Sequence, residues 1–183
     1  MSRSAVICSL LAALVCVASP ADAATKHRRP RGDNPHRQPS RSAQQEKSLW
    51  ATVNACDTPQ RPNAAGIRVS MPARGGMAQW IRTRIQYFNS QDRTWRLLPA
   101  GGDAGWDRIG NGDKTVQSGW TFTFETPSPG HRIVVRGLVD FQWRRGNRVI
   151  YKARKLTEAG HADTSDVLLP DSRASCEIDG PAA

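Results

Sequence analysis

From Leu49 onward, apolar and polar residues alternate with a period of two, and Gly, Pro, Asn and Asp interrupt the alternation at intervals. Successive side chains of an extended strand point to opposite faces, so this pattern predicts half-buried strands joined by turns, an all-β domain. The predicted strands are 49–56, 67–71, 77–88, 94–98, 119–125, 132–143, 148–155 and 173–178, and no helical stripe of comparable length competes with them. In 77–88, Ile81, Thr83, Ile85 and Tyr87 share one face and Trp80, Arg82, Arg84 and Gln86 the other. In 132–143, Ile133, Val135, Val139 and Phe141 alternate with Val134, Arg136, Leu138, Asp140 and Gln142. One apolar face and one half-polar face suit an antiparallel β-sandwich of about 7–8 strands better than a parallel sheet buried on both sides.

The breaks carry their own signals. Gly146-Asn147 lies between two long alternating runs and tolerates the positive backbone angles of a tight hairpin, and Pro127-Ser128-Pro129-Gly130 is a second turn. Segment 100–113, rich in Gly and Asp, and segment 157–171 read as irregular loops. Trp120, Phe122 and Phe124 alternate with Thr and read as packing residues.

The first 48 residues follow a different logic. Arg3 precedes an apolar run from Ala5 to Val17 and a small-x-small site at Ala21-Asp22-Ala23, which predicts a signal peptide over 1–23. The apolar run is too short for a transmembrane anchor. Segment 24–48 holds seven basic residues against Asp33 and Glu46, three prolines and almost no apolar side chain, and so predicts a disordered basic arm before a β-sandwich domain over 49–183. The whole chain, 183 residues with a formal charge of +10, leaves room for about one folded domain and excludes a large multidomain enzyme.

Removal of the signal takes Cys8 and Cys16 with it and leaves Cys56 and Cys176, an even pair that reads as a disulfide in an oxidising compartment. The closed loop spans about 120 residues, for which chain entropy gives about 5 kcal/mol before native strain is subtracted. No CxxC or Cys/His cluster accompanies either residue.

Several strings spread over this domain carry a likeness. They are Trp50-Ala51-Thr52-Val53-Asn54-Ala55-Cys56-Asp57, Gly66-Ile67-Arg68-Val69-Ser70-Met71-Pro72, Gly105-Trp106 and Ser118-Gly119-Trp120-Thr121-Phe122. Further on they are Phe141-Gln142-Trp143-Arg144-Arg145-Gly146, Ala159-Gly160-His161 and Ser175-Cys176-Glu177-Ile178. In these the chain resembles small secreted immunoglobulin-like β-sandwich proteins of actinobacterial type, most of them without assigned activity. The resemblance implies an immunoglobulin-like sandwich whose first and last strands are joined by the cystine. It implies no catalytic residue. Antibody domains link two central strands around a buried Trp, so strand roles do not transfer from them.

Motifs for chemistry are sparse. His131 and His161 lack metal-ligand spacing, and Gly160 argues against a helix that would align Glu158 with His161. Ser118 and Ser175 lie in no nucleophile elbow. Glu125, Asp140 and Glu177 are strand carboxylates of the kind that solvate or pair, and Asp103, Asp107 and Asp113 match no calcium-loop spacing. The sequence therefore assigns no catalytic residue, no metal site and no cofactor.

The informative constellation is basic. If strand 77–88 shares a sheet with the 132–155 hairpin, Arg82, Arg84, Arg136, Arg148, Lys152 and Arg154 gather on one outer face, with Trp80 and Leu138 among them. Guanidinium groups grip phosphates and carboxylates in bidentate fashion and stack on rings. The same charges also serve simply to solvate an outer sheet face and discourage edge pairing. The expectation is a secreted or cell wall-associated, non-catalytic β-sandwich that binds an anionic cell-envelope polymer or a surface protein. The alternatives are a small secreted hydrolase and a basic extracellular nucleic-acid-binding protein, the latter suggested by a pI near 10.3 without a nucleic-acid motif.

Overall fold

The computed structural model describes residues 44, 46–161 and 172–182. The expected signal 1–23, nearly all of the arm 24–48 and positions 162–171 of the second loop lie outside the described residues. The domain is all-β. Its strands are β1 (Trp50–Thr58), β2 (Arg61–Met71), β3 (Ala78–Asn89), β4 (Thr94–Leu97), β5 (Asp103–Gly110), β6 (Val116–Thr123), β7 (Arg132–Arg145), β8 (Arg148–Leu156) and β9 (Cys176–Asp179). Among the described residues no helix is long and apolar enough to cross a membrane.

The strands form two antiparallel sheets. One has three strands in the order β1-β2-β6, and the other has six. In the larger sheet β3 and β7 are the central pair, in register from Ala78↔Arg144 to Tyr87↔Val135. β4 and β5 share the outer edge of β3, while β8 and β9 share the outer edge of β7. The sheets pack face to face as a β-sandwich, with Ala51, Val53, Ile67 and Val69 of one meeting Ile81, Ile85, Val139 and Phe141 of the other in a single core. Gly137 of β7 permits the close approach. A Cβ there would stand 2.7 Å from Thr157 Cγ2 and 3.1 Å from Ile67 Cδ1.

Segment 103–110 is a strand and not the irregular loop that its Gly and Asp content predicts. The ladder with β3, in which Trp106 opposes Arg82 and Arg108 opposes Trp80, supplies the backbone partners that local propensity does not. Register shifts between Gln79 and Trp80 and between Arg82 and Arg84 let its bends fit the ladder, and Gly105 adopts a φ of 75° that glycine tolerates. The expectation for Trp120 is also corrected. Phe122 is buried and Phe124 packs against the core, but Trp120 is 48% exposed, because β6 is an edge strand with no neighbour beyond it in its sheet.

Two features tie the sandwich together. The Cys56–Cys176 disulfide joins β1 of the three-stranded sheet to β9 of the six-stranded one, with Cα atoms 5.3 Å apart. The fully buried Gln79 of β3 donates to Met71 O at 2.8 Å and accepts from Gly112 N at 3.0 Å. Its amide thus satisfies backbone groups where the chain leaves β2 and where it leaves β5. At the hairpin between β7 and β8, Arg145 opposes Arg148 across a two-residue turn, and Gly146 takes the positive φ.

Candidate functional site

Alternation along β3 and β7 buries Ile81, Thr83, Ile85, Val139 and Phe141 and turns the intervening side chains to the outer face of the six-stranded sheet. Cross-strand register then sets their neighbours. One row of opposed residues crosses four strands, Trp106 on β5, Arg82 on β3, Asp140 on β7 and Arg154 on β8, and in the next row Gln142 of β7 opposes both Trp80 and Lys152. Five of the six expected basic residues, Arg82, Arg84, Arg136, Lys152 and Arg154, lie on this face.

Arg148 does not join them. Trp143 opposes Tyr151, but the next residue, Arg144, opposes Val149, so β8 carries one extra residue at Ile150. That bulge reverses the alternation, and Arg148, opposite Arg145 at the turn, falls on the other face. Arg144 takes its place on the outer face beside Gln142, to which its Nε donates at 2.8 Å.

The cations are held, and not all in the same way. Arg82 forms a two-pronged contact with Asp103, its Nε standing 3.0 Å from each carboxylate oxygen. Arg84 donates Nη2 to Asp140, which also receives Arg154 Nε at 2.6 Å on its other oxygen. The pairs run on diagonals: Arg82 takes the acid registered opposite Arg84, and Arg84 takes the acid registered opposite Arg82. The Arg82 hydrogen bond holds the Asp103 carboxyl below its ordinary range, and the same contact raises Arg82. Arg136 donates to Gln86 Oε1 at 2.9 Å and lies 4.1 Å over the Trp95 ring, where burial lowers its pKa. The Arg144 guanidinium sits 4.3 Å from the Trp80 ring centroid and 4.9 Å from that of Trp106. Lys152 makes no ion pair among the described residues.

These side chains enclose an open groove of about 600 Å³, lined by Arg82, Arg84, Trp106, Asp140, Gln142 and Lys152 with Arg154 at its rim. Its floor is the Arg84–Asp140 pair, both side chains only 16% exposed, whereas Arg154 is 63% exposed. The arrangement offers fixed donors, one carboxylate acceptor and an indole.

Of the other carboxylates and histidines considered in the sequence, Glu177 and His161 have partners of their own. Glu177 pairs with Arg132, together with Asp179. His161 stacks on Trp50 at 4.6 Å and meets Glu158 at 3.1 Å, which anchors its loop to β1. Sequence reasoning missed Arg144, Trp106 and Trp95 as parts of the face. Only Trp106 left a trace, since Ala104, Trp106 and Arg108 alternate within the segment read as a loop. Comparison of the chain with family models, curated proteins and solved structures finds no match.

Proposed function

We propose that this is an exported, non-catalytic, immunoglobulin-like β-sandwich that binds an anionic cell-envelope polymer on the outer face of its six-stranded sheet. The observation that carries the reading is the charge imbalance there. Arg82, Arg84, Arg108, Arg132, Arg136, Arg144, Lys152 and Arg154 stand on it with four carboxylates, Asp103, Asp140, Glu177 and Asp179. Even with all four acids neutralised locally, the face keeps an excess of positive charge on rigid strands, which attracts a polyanion and holds it after encounter.

The immunoglobulin-like assignment is supported by strand order. A β1-β2-β6 sheet faces a β4-β3-β7-β8 path, and the chain changes sheets between β2 and β3, β5 and β6, and β6 and β7, as in Greek-key sandwiches. Export is supported by the signal-like N-terminus and by a cystine, which persists in oxidising compartments.

The test measures binding kinetics of the full chain and of a Lys152→Gln/Arg154→Gln double variant. Surfaces carry a teichoic-acid-like polymer, purified cell wall or DNA, each at two salt concentrations. Both substituted residues are exposed, and Arg84 still covers Asp140 in the variant. The expected result is wall and polymer binding that weakens with salt and falls about tenfold in the variant, mostly through faster dissociation. Equal binding of both proteins to all three surfaces would overturn the reading. DNA binding alone, with no binding to wall or polymer, would move the partner to nucleic acid.

A further inference from the structure

The groove contains more than a phosphate backbone requires. A chain of phosphodiesters is satisfied by donors and positive charge. Here the groove also presents an indole and a carboxylate acceptor, Asp140, for which a phosphodiester backbone has no donor. Resting on the reading above and narrowing it, we propose that the groove between Trp106 and Lys152 binds an acidic sugar residue, a pyranose ring bearing a carboxylate.

Each wall matches one part of such a unit. The C–H face of a sugar ring is apolar and packs on an aromatic surface, and Trp106 lines the groove on the β5 side. Ring hydroxyls need an acceptor as well as donors. Asp140, fixed by Arg84 and Arg154 on the floor, keeps lone pairs beyond its two ion pairs, and Gln142 beside it both donates and accepts. The sugar carboxylate then needs a cation not already committed. Arg82 is held by Asp103, and Arg84 and Arg154 are held by Asp140, but Lys152 on the opposite wall has no ion pair among the described residues. The two walls belong to strands three sheet spacings apart, roughly 14 Å between backbones before side chains narrow the gap. A volume of about 600 Å³ lies within the range of small-ligand sites.

The experiment titrates the full chain with hexameric oligogalacturonate, its methyl-esterified neutral form and a polyphosphate of matched charge, read by calorimetry and indole fluorescence. Trp106→Ala, Trp106→Phe and Lys152→Gln variants are compared, each checked for an unchanged melting temperature. Saturable binding of oligogalacturonate at least tenfold tighter than its methyl ester, with a change in indole emission, is expected. Trp106→Ala should lose about tenfold for oligogalacturonate and little for polyphosphate, and Trp106→Phe should recover most of the loss. Lys152→Gln should abolish the preference over the methyl ester. If polyphosphate binds as tightly as oligogalacturonate and Trp106→Ala affects neither, the sugar inference falls while polyanion binding stands. If no polyanion binds, both fall.

Discussion

Cys56 at the end of β1 and Cys176 at the start of β9 are bonded across the sandwich, so the only covalent link between distant parts of the described chain is also a link between its two sheets. Beside it, Val53 and Arg173 exchange backbone hydrogen bonds at 2.9 and 3.0 Å. The C-terminal end is thus held to β1 by main-chain pairing as well as by sulfur.

This sets the effect of removing the bond. The cysteines are 120 residues apart, and a loop of that length corresponds to about 5 kcal/mol of lost unfolded-state entropy. Cys56→Ser, or reduction, should lower the melting temperature by on the order of 10 °C or more. Calorimetry of oxidised and reduced protein checks this, and two freely alkylatable thiols in the native protein would refute the pairing.

Gln79 leads to a second expectation. Replacing it by Leu keeps the volume nearly constant but leaves Met71 O and Gly112 N without the amide that satisfies them. Buried unsatisfied groups cost about 1–3 kcal/mol each, so Gln79→Leu should destabilise the domain by about 2–4 kcal/mol in urea unfolding with an unchanged m-value. A loss under 0.5 kcal/mol would mean that water replaces the amide.

Asp103 gives a pH-dependent expectation. Its carboxyl is lowered in the folded protein, first by the Arg82 hydrogen bond. The stability from this group is therefore fully present above the unfolded carboxyl value of about 3.9 and is lost as pH falls through the lower folded value. Carboxyl NMR titration should place the Asp103 midpoint below that of an unstructured Asp, and Arg82→Gln should move it upward. Asp103→Asn should flatten the acid limb of stability below about pH 4.

Export makes a prediction about the chain start. With small residues at Ala21 and Ala23 after a short apolar run, secreted material should begin at or near Ala24. Intact mass spectrometry decides it, and retention of residues 1–23 on most molecules would exclude cleavage there.

How far the site could be read from sequence depended on distance along the chain. The inward set Ile81, Thr83 and Ile85 and the outward set Trp80, Arg82 and Arg84 follow from strand stereochemistry alone, because alternation is local and holds wherever the segment is extended. The Gly146-Asn147 turn was legible for the same reason. The Cys56–Cys176 pair was legible because residues 49–183 hold no other cysteine. Arg148 was misplaced because a bulge at Ile150 is a property of the β7–β8 pairing, and β5 was missed because its ladder with β3 outweighs the turn preference of Gly and Asp.

By itself, then, the sequence determined an all-β domain, its faces, its main hairpin and its cystine, all set by steric alternation, by turn chemistry and by the count of thiols. Only the tertiary structure decided which sheet each strand joins. It also decided that Asp103 serves Arg82 while Asp140 serves Arg84 and Arg154, and that Trp106 and Lys152 line one groove. Those relations depend on register between strands tens of residues apart. Register is selected by the fit of the whole core, and no single segment carries it.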